Sequence, residues 1–296
     1  MLSSAISGIG PGGYYAAVAV LLILMAQLTR TVNFSQVAVG MIGAYFSVGL
    51  AAGQFQNSIK IGFKLPMIVA VILGILIAGL VSALIGWIIA QWLPEASSTA
   101  RSAVTVAGLL LLIAVAYIIF GSRPQPFRPI IFGPLIELPG NIIITQIAVF
   151  SIGLALVVAI LAKALLSRTM LGVRLRAIAD RQTAAELLGV NVKLMNVSVW
   201  FFTGIVSGIL VVFIAPTQSS DIFTLSMIVV PGAAAALIGA FKNIWAGLIG
   251  GILLGVVQGF FAGLPELTYL RDWVPIVVIV VFLLWNQRKE VWDVAR

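Results

Sequence analysis

Nine apolar runs decide what this chain can fold into. They lie at roughly 14–29, 37–52, 66–91, 104–120, 142–165, 197–214, 222–241, 245–263 and 273–286. A helix needs about 20 apolar residues to cross a bilayer, and several runs are that long. Only 9% of the residues are charged, against about 25% in soluble domains, too few to cover a water-facing surface. The short alternating segments of a membrane barrel are absent from the pattern. The expected fold is an all-α polytopic membrane protein. It is a single transmembrane domain over 1–296, a bundle of 8–9 transmembrane helices. The runs at 14–29, 37–52 and 273–286 are short, so broken or re-entrant segments are expected among them. The first twenty residues carry no charge and lack the basic start of a cleavable signal, so the first span is expected to remain in place.

The residues that are missing narrow the chemistry. The sequence has no Cys and no His. That removes thiol and disulfide chemistry, zinc sites and imidazole acid–base catalysis, and no metal and no cofactor are expected. All nine acidic residues fall in loops or at the ends of runs. Proton-coupled carriers need ionisable groups near the membrane midplane, and none is available here. There is no GxxxxGK[ST] phosphate loop. Two readings remain at this point: a passive pore, or one subunit of a machine whose ATPase is a separate chain.

Basic residues orient the spans. With nine crossings and the central polar stretch in the cytoplasm, the inside receives Arg30, Arg101, Lys163, Arg168, Arg174, Arg176, Arg181, Lys193, Lys242, Arg288, Lys289 and Arg296. The outside receives Lys60, Lys64, Arg123, Arg128 and Arg271. Twelve of 17 inside satisfies the positive-inside rule and predicts a cytoplasmic C-terminus. The segment GSRPQPFRPIIFGPLIELPG, beginning at Gly121, reads as an ordered external loop.

Three stretches depart from plain apolar helix. The first is Arg168 to Asn196, a basic island in an apolar chain. Its part from Leu175 to Leu188 has no Gly or Pro and reads as a helix or helical pair. Ile178, Ala185 and Leu188 fall on one face, Thr183 and Glu186 have capping-box spacing, and Gly189 is a stop. The small side chains of Ala177, Ala179, Ala184 and Ala185 suit it to a partner's groove. The second stretch is TVNFSQ, 31–36, which interrupts two runs. Asn33, Phe34, Ser35 and Gln36 form either an unwound junction beside a cavity or a cytoplasmic turn. The third is a stripe of Gly247, Gly251, Gly255, Gly259 and Gly263, every fourth residue on one helix face. It allows close approach by another helix, of this bundle or of a second subunit. Gly232, Ala236 and Ala240 make a weaker stripe on the preceding segment, with a tight turn at Lys242 and Asn243 and a Pro231 that would kink or unwind the first arm.

LGVRLRAIADRQTAAELLGVNVKLMNVSVWFFTGIVSGILV (171–211) resembles the cytoplasmic loop and following span of the branched-chain amino acid ABC importer permeases, the LivH/LivM group. VNFSQVAVGMIGAY (32–45) is similar to that family's first-hairpin element, and GAAAALIGAFKNIWAGLIGGILLGVVQ (232–258) to its C-terminal glycine-rich hairpin. The three lie in the family's order, and the short N-terminus and overall length look more like the LivH-type subunit. The resemblance implies an importer of amino acids. It would pair with a second, homologous permease, two cytoplasmic ABC ATPase subunits and an extracytoplasmic solute-binding protein in the bacterial inner membrane, with no catalysis in this chain. Carried over by position, Arg176, Ala177, Ala179, Asp180, Ala184, Ala185, Leu188 and Gly189, with Arg174 in the adjoining basic run, match the ATPase-contacting loop within 166–196. Asn33 and Phe34 match the first-hairpin element. Departures at 32–40 and 239–247 leave open a permease for urea, short amides or sugars.

Overall fold

A computed structural model describes residues 2–55, 62–125, 127–131, 133–138, 142–218 and 221–294. Lys60 and Arg296, two of the charges used to orient the chain, lie outside the described residues. The helices are α1 (Leu2–Ser7), α2 (Ile9–Thr29), α3 (Gln36–Ala52), α4 (Met67–Trp92), α5 (Ser98–Phe120), α6 (Gln146–Arg168), α7 (Met170–Asp180), α8 (Gln182–Leu187), α9 (Val192–Ile214), α10 (Ile222–Met227), α11 (Val229–Ile238), α12 (Ile244–Ala262) and α13 (Leu270–Val294). Six helical segments among the described residues are long and apolar enough to cross a membrane: Ser3–Thr29, Met67–Trp92, Ser98–Phe120, Gln146–Arg168, Val192–Thr217 and Ile244–Ala262. Gln36–Ala52 and Ile222–Ile238 are apolar but shorter. Six of the nine runs thus lie in segments of full length and two in segments of 17 residues, while the ninth, at 273–286, lies within α13.

The side chains of α4 show which solvent the fold expects. Ala70, Gly74, Ala78, Ser82 and Gly86, one every four residues, are buried. The large apolar groups point the other way, with Ile68 75% and Leu80 61% exposed. A water-soluble helix has the reverse arrangement. Small residues toward the bundle and large apolar residues outward are what lipid selects.

The chain falls into two compact units, one of residues 1–20, 132–156 and 230–296, the other of 21–131 and 157–229. In the second unit α3, α4 and α9 pack as a close triplet. Gly43 and Gly74 make this possible, because a Cβ on either would sit closer than 3.0 Å to the other's carbonyl oxygen. Below the triplet Met25, Ile89, Leu175, Val199 and Trp200 form a core cluster.

In the first unit the glycine stripe of α12 meets the chain's own N-terminal helices. Gly251 lies against Ala16, Gly255 against Gly12, and Gly259 against Gly8, each closer than 3.0 Å to where a Cβ would stand. The turn before α12 holds Ala240 and Phe241 at φ 50° and 52°, and Asn243 caps α12 by accepting from the Trp245 and Ala246 amides at 3.0 and 3.1 Å.

Three expectations need correction here, and one is met. The run at 142–165 does not start as a helix: Ile142–Thr145 is β2, paired antiparallel with β1 (Pro134–Leu138). Three consecutive β-branched isoleucines beside a Pro-rich loop favour a strand, and the two-stranded hairpin is an addition to an all-α membrane fold. The run at 222–241 is divided at Ile228, three residues before Pro231, so the first arm unwinds where the proline has no N–H to offer the Met227 carbonyl, as expected. Ala240 belongs to the turn rather than to a helical stripe. Finally, the helix containing the first run starts at Ile9 rather than near residue 14.

Candidate functional site

The central segment, 166–196, folds entirely within the second unit. Thr169 caps α7, its hydroxyl accepting from the Gly172 amide at 3.1 Å and donating to the Leu165 carbonyl at 2.7 Å. Gly172 is required at this corner, since a Cβ would collide with the Leu165 and Leu166 backbone. Helix α7 then ends at Asp180 because Arg181 is extended, at φ −145° and ψ 105°. That one residue separates α7 from α8 and resets the helical phase. Ile178, Ala185 and Val192 form a small core, with Ala177, Val190 and Met195 packed on it. Leu188, expected on the same face, is 81% exposed and its neighbour Leu187 is 90% exposed. Thr183 and Glu186 do not form a capping box, since α8 starts at Gln182 with no side-chain cap. Gly189 closes the segment at φ 79°, a conformation that favours glycine.

The candidate coupling residues therefore divide. Arg174, Arg176, Asp180, Ala184, Leu188 and Gly189 are exposed, and Ala177 and Ala179 half-buried. Ala185 is buried, at 1% exposure, and cannot touch a partner. The segment's inner face is anchored: Leu175 belongs to the same cluster as Met25, Ile89 and Trp200. Spacing does not single out Leu175, Trp200 or Leu187, and it places Leu188 on the inner face with Ile178 and Ala185. The signal was present in LLG, but the helical phase used to read it ran through the break at Arg181.

The stretch 31–36 is an unwound junction between α2 and α3. Asn33, Ser35 and Gln36 are completely buried and Phe34 half-buried. Their polar groups are used within the protein. Asn33 Nδ2 donates to Gln36 Oε1 at 2.7 Å, and Asn33 Oδ1 accepts from the Ser35 amide and hydroxyl at 3.1 and 2.7 Å. Gln36 Nε2 donates to the Thr203 carbonyl at 2.8 Å, and Ser207 Oγ donates to the Gln36 carbonyl at 2.6 Å. The free backbone is met by α5: Ser102 Oγ accepts from the Val32 amide at 3.1 Å, and Thr105 Oγ1 from the Phe34 amide at 3.0 Å. Buried non-helical backbone requires such partners. Ser102 and Thr105 escaped the sequence reading because a single hydroxyl on an apolar helix carries no pattern.

Arg30 joins the two regions. It sits at the left-handed φ of 52°, which costs a non-glycine residue about 1–2 kcal/mol. Its Nη2 donates to the Asp180 carbonyl at the end of α7 at 3.1 Å, and its own carbonyl accepts from Ser98 Oγ at 2.5 Å. The residue that begins the unwound junction thus holds the end of the first loop helix.

Two of the cavities among the described residues of this unit bear on these regions. One, of about 320 Å³, is lined at the far end of α3 by Ser47, Val48, Leu65, Phe127, Arg128 and Val212. The other, of about 350 Å³, lies at the loop end, beside Arg30 and Asp180. A family model described as "branched-chain amino acid transport system / permease component" matches residues 4–284.

The chain belongs to this family. It is a multi-pass membrane permease, a transport subunit of a class that works within ABC transport systems. No curated protein and no solved structure matches the permease significantly.

Proposed function

We propose that this permease is a LivH-type subunit of an ATP-driven importer for branched-chain or other amino acids in the bacterial inner membrane. It forms half of the translocation pathway with a homologous permease, receives substrate from an extracytoplasmic binding protein, and takes its energy from two cytoplasmic ATPase subunits docked on 166–196. The observation that carries the reading is the asymmetry of that segment. Its base is fixed to the bundle through Leu175, Ile178 and Ala185, while Leu187 and Leu188 stand free at its tip beside a basic surface. A pair of exposed leucines at the tip of an anchored segment is apolar surface that a partner's pocket can bury. Force applied there reaches α9 and, through Arg30, the junction at 31–36. Asn33, Phe34, Ser35 and Gln36 would then be uncovered when α3 and α9 part, opening a polar patch in an otherwise apolar path.

Reconstitution of the permease with its partner permease, ATPase and binding protein in proteoliposomes tests this. ATP-dependent leucine accumulation is expected, and Leu188→Asp should lower it by roughly tenfold or more, the loss typical of one interface anchor, without changing insertion. Uptake that needs neither ATP nor the ATPase would identify a passive channel instead.

A further inference from the structure

The loop-end cavity has a chemistry that the translocation path lacks. Its wall brings together Arg30, Arg101, Glu95 and Asp180, with Ser98 and Asn196. Two arginines and two acidic residues line one space of about 350 Å³, within the range of small-molecule sites. The arginines do not neutralise the carboxylates. Arg30 donates to the Asp180 backbone, Arg101 Nε to the Leu93 carbonyl at 3.0 Å and Arg101 Nη2 to the Pro94 carbonyl. Among the described residues neither guanidinium is in an ion pair, so each has donors to spare.

Asn196 supplies an independent sign. Its side chain is only 8% exposed, and its Oδ1 is buried with no hydrogen-bond partner. A buried amide oxygen without a donor is costly, by about 1–3 kcal/mol, and calls for one. The adjoining space shared by Asn196 and Arg101, about 10 Å³, has room for one water, but a water needs neither the two arginines nor the two carboxylates.

We propose that this cavity is a second, loop-side binding site for a free α-amino acid, the carboxylate held by Arg30 and Arg101 and the ammonium by Glu95 and Asp180, with the Asn196 side chain packed against its wall. A purely anionic ligand would meet the two carboxylates, and a purely cationic one the two arginines; a zwitterion satisfies both sets. The choice of an amino acid among zwitterions rests on the proposed transport function. The site lies against the end of α7, so its occupancy is placed to report the amino acid level on the loop's side of the membrane.

Leucine binding to the purified full-length permease in nanodiscs, by titration calorimetry, is the test. Leucine should bind at least tenfold more tightly than 4-methylpentanoate, 3-methylbutylamine or O-phosphoethanolamine. Asn196→Leu, which removes an unpartnered group, and Glu95→Gln, an exposed change, should each weaken leucine at least tenfold. No leucine binding at millimolar concentration overturns the site. So does equal or tighter binding of the acid, which would mean an anion site. Equal or tighter binding of the amine or of O-phosphoethanolamine, the latter a lipid headgroup, overturns it too. Leucine affinity unchanged in both variants overturns it as well, leaving a bound water or binding elsewhere in the permease. These readouts need no ATPase, so absent ATP-driven uptake with leucine bound here would count against the import function alone.

Discussion

Thr105 shows how much a single hydroxyl can do in a membrane. Its Oγ1 accepts from the Phe34 amide and lies 2.9 Å from the Val32 carbonyl, to which it is placed to donate. Thr105→Val keeps the shape and removes the hydroxyl, leaving the Phe34 amide without its partner. The expected cost is about 1–3 kcal/mol, read as a lower melting temperature of the purified permease, with the larger loss in transport because the junction's geometry is set by this bond. Val106→Thr, one residue away on the exposed face of α5, should change neither. Equal effects of the two substitutions would mean that α5 hydroxyls act by composition and not by holding the junction. The sequence shows that 31–36 breaks two apolar runs, since polar residues there are visible as an interruption. What closes the break was illegible, because the partners come from a helix some 70 residues away and their spacing follows no period.

The central segment argues the same point at the level of an element. Composition and the absence of Gly and Pro predict helix from 175 to 188, and helix is what forms, as α7 and α8. A single extended residue, Arg181, separates the two and decides which side chains face out. Nothing in Asp180–Arg181–Gln182 compels that break by propensity alone; it comes from the packing of Ile178, Ala185 and Val192 into one cluster. Tertiary contacts of this kind are not encoded in a local period. Two substitutions separate structural from docking roles. Ala185→Arg places a charge and a long side chain in a filled site and should destabilise the segment by more than about 3 kcal/mol. It should appear as protease sensitivity within 166–196 in the permease alone. Leu187→Asp should leave proteolysis unchanged and reduce recovery of the ATPase in pull-downs. Gly189→Ala, with open space around it but φ at 79°, should weaken docking moderately, and Gly189→Asn less, since Asn tolerates that backbone. A protease-resistant Ala185→Arg permease would place Ala185 on the surface after all.

For the whole molecule, the sequence made the membrane class plain and the count of spans obscure. Class follows from charge deficit and run length, which are sums over the chain. Count depends on where helices stop, and the stops at Ile228 and Thr145 are set by backbone geometry rather than hydropathy. Sidedness can be tested directly because the chain has no cysteine, so any introduced thiol reports without background. In intact cells, Leu187→Cys should resist a membrane-impermeant maleimide and react only after the cytoplasm is opened. Arg123→Cys, in the loop after α5, should react from outside. Both positions are exposed, so silence would not come from burial. The two thiols test one assumption from opposite ends: the basic residues orient the permease so that 166–196 meets the compartment where ATP is. Labelling of Leu187→Cys from outside would place that loop and the adjacent amino acid site on the opposite side of the membrane from the ATPase. The energy could not then enter through the central segment, and a passive or externally gated path would be the better account of its free leucines.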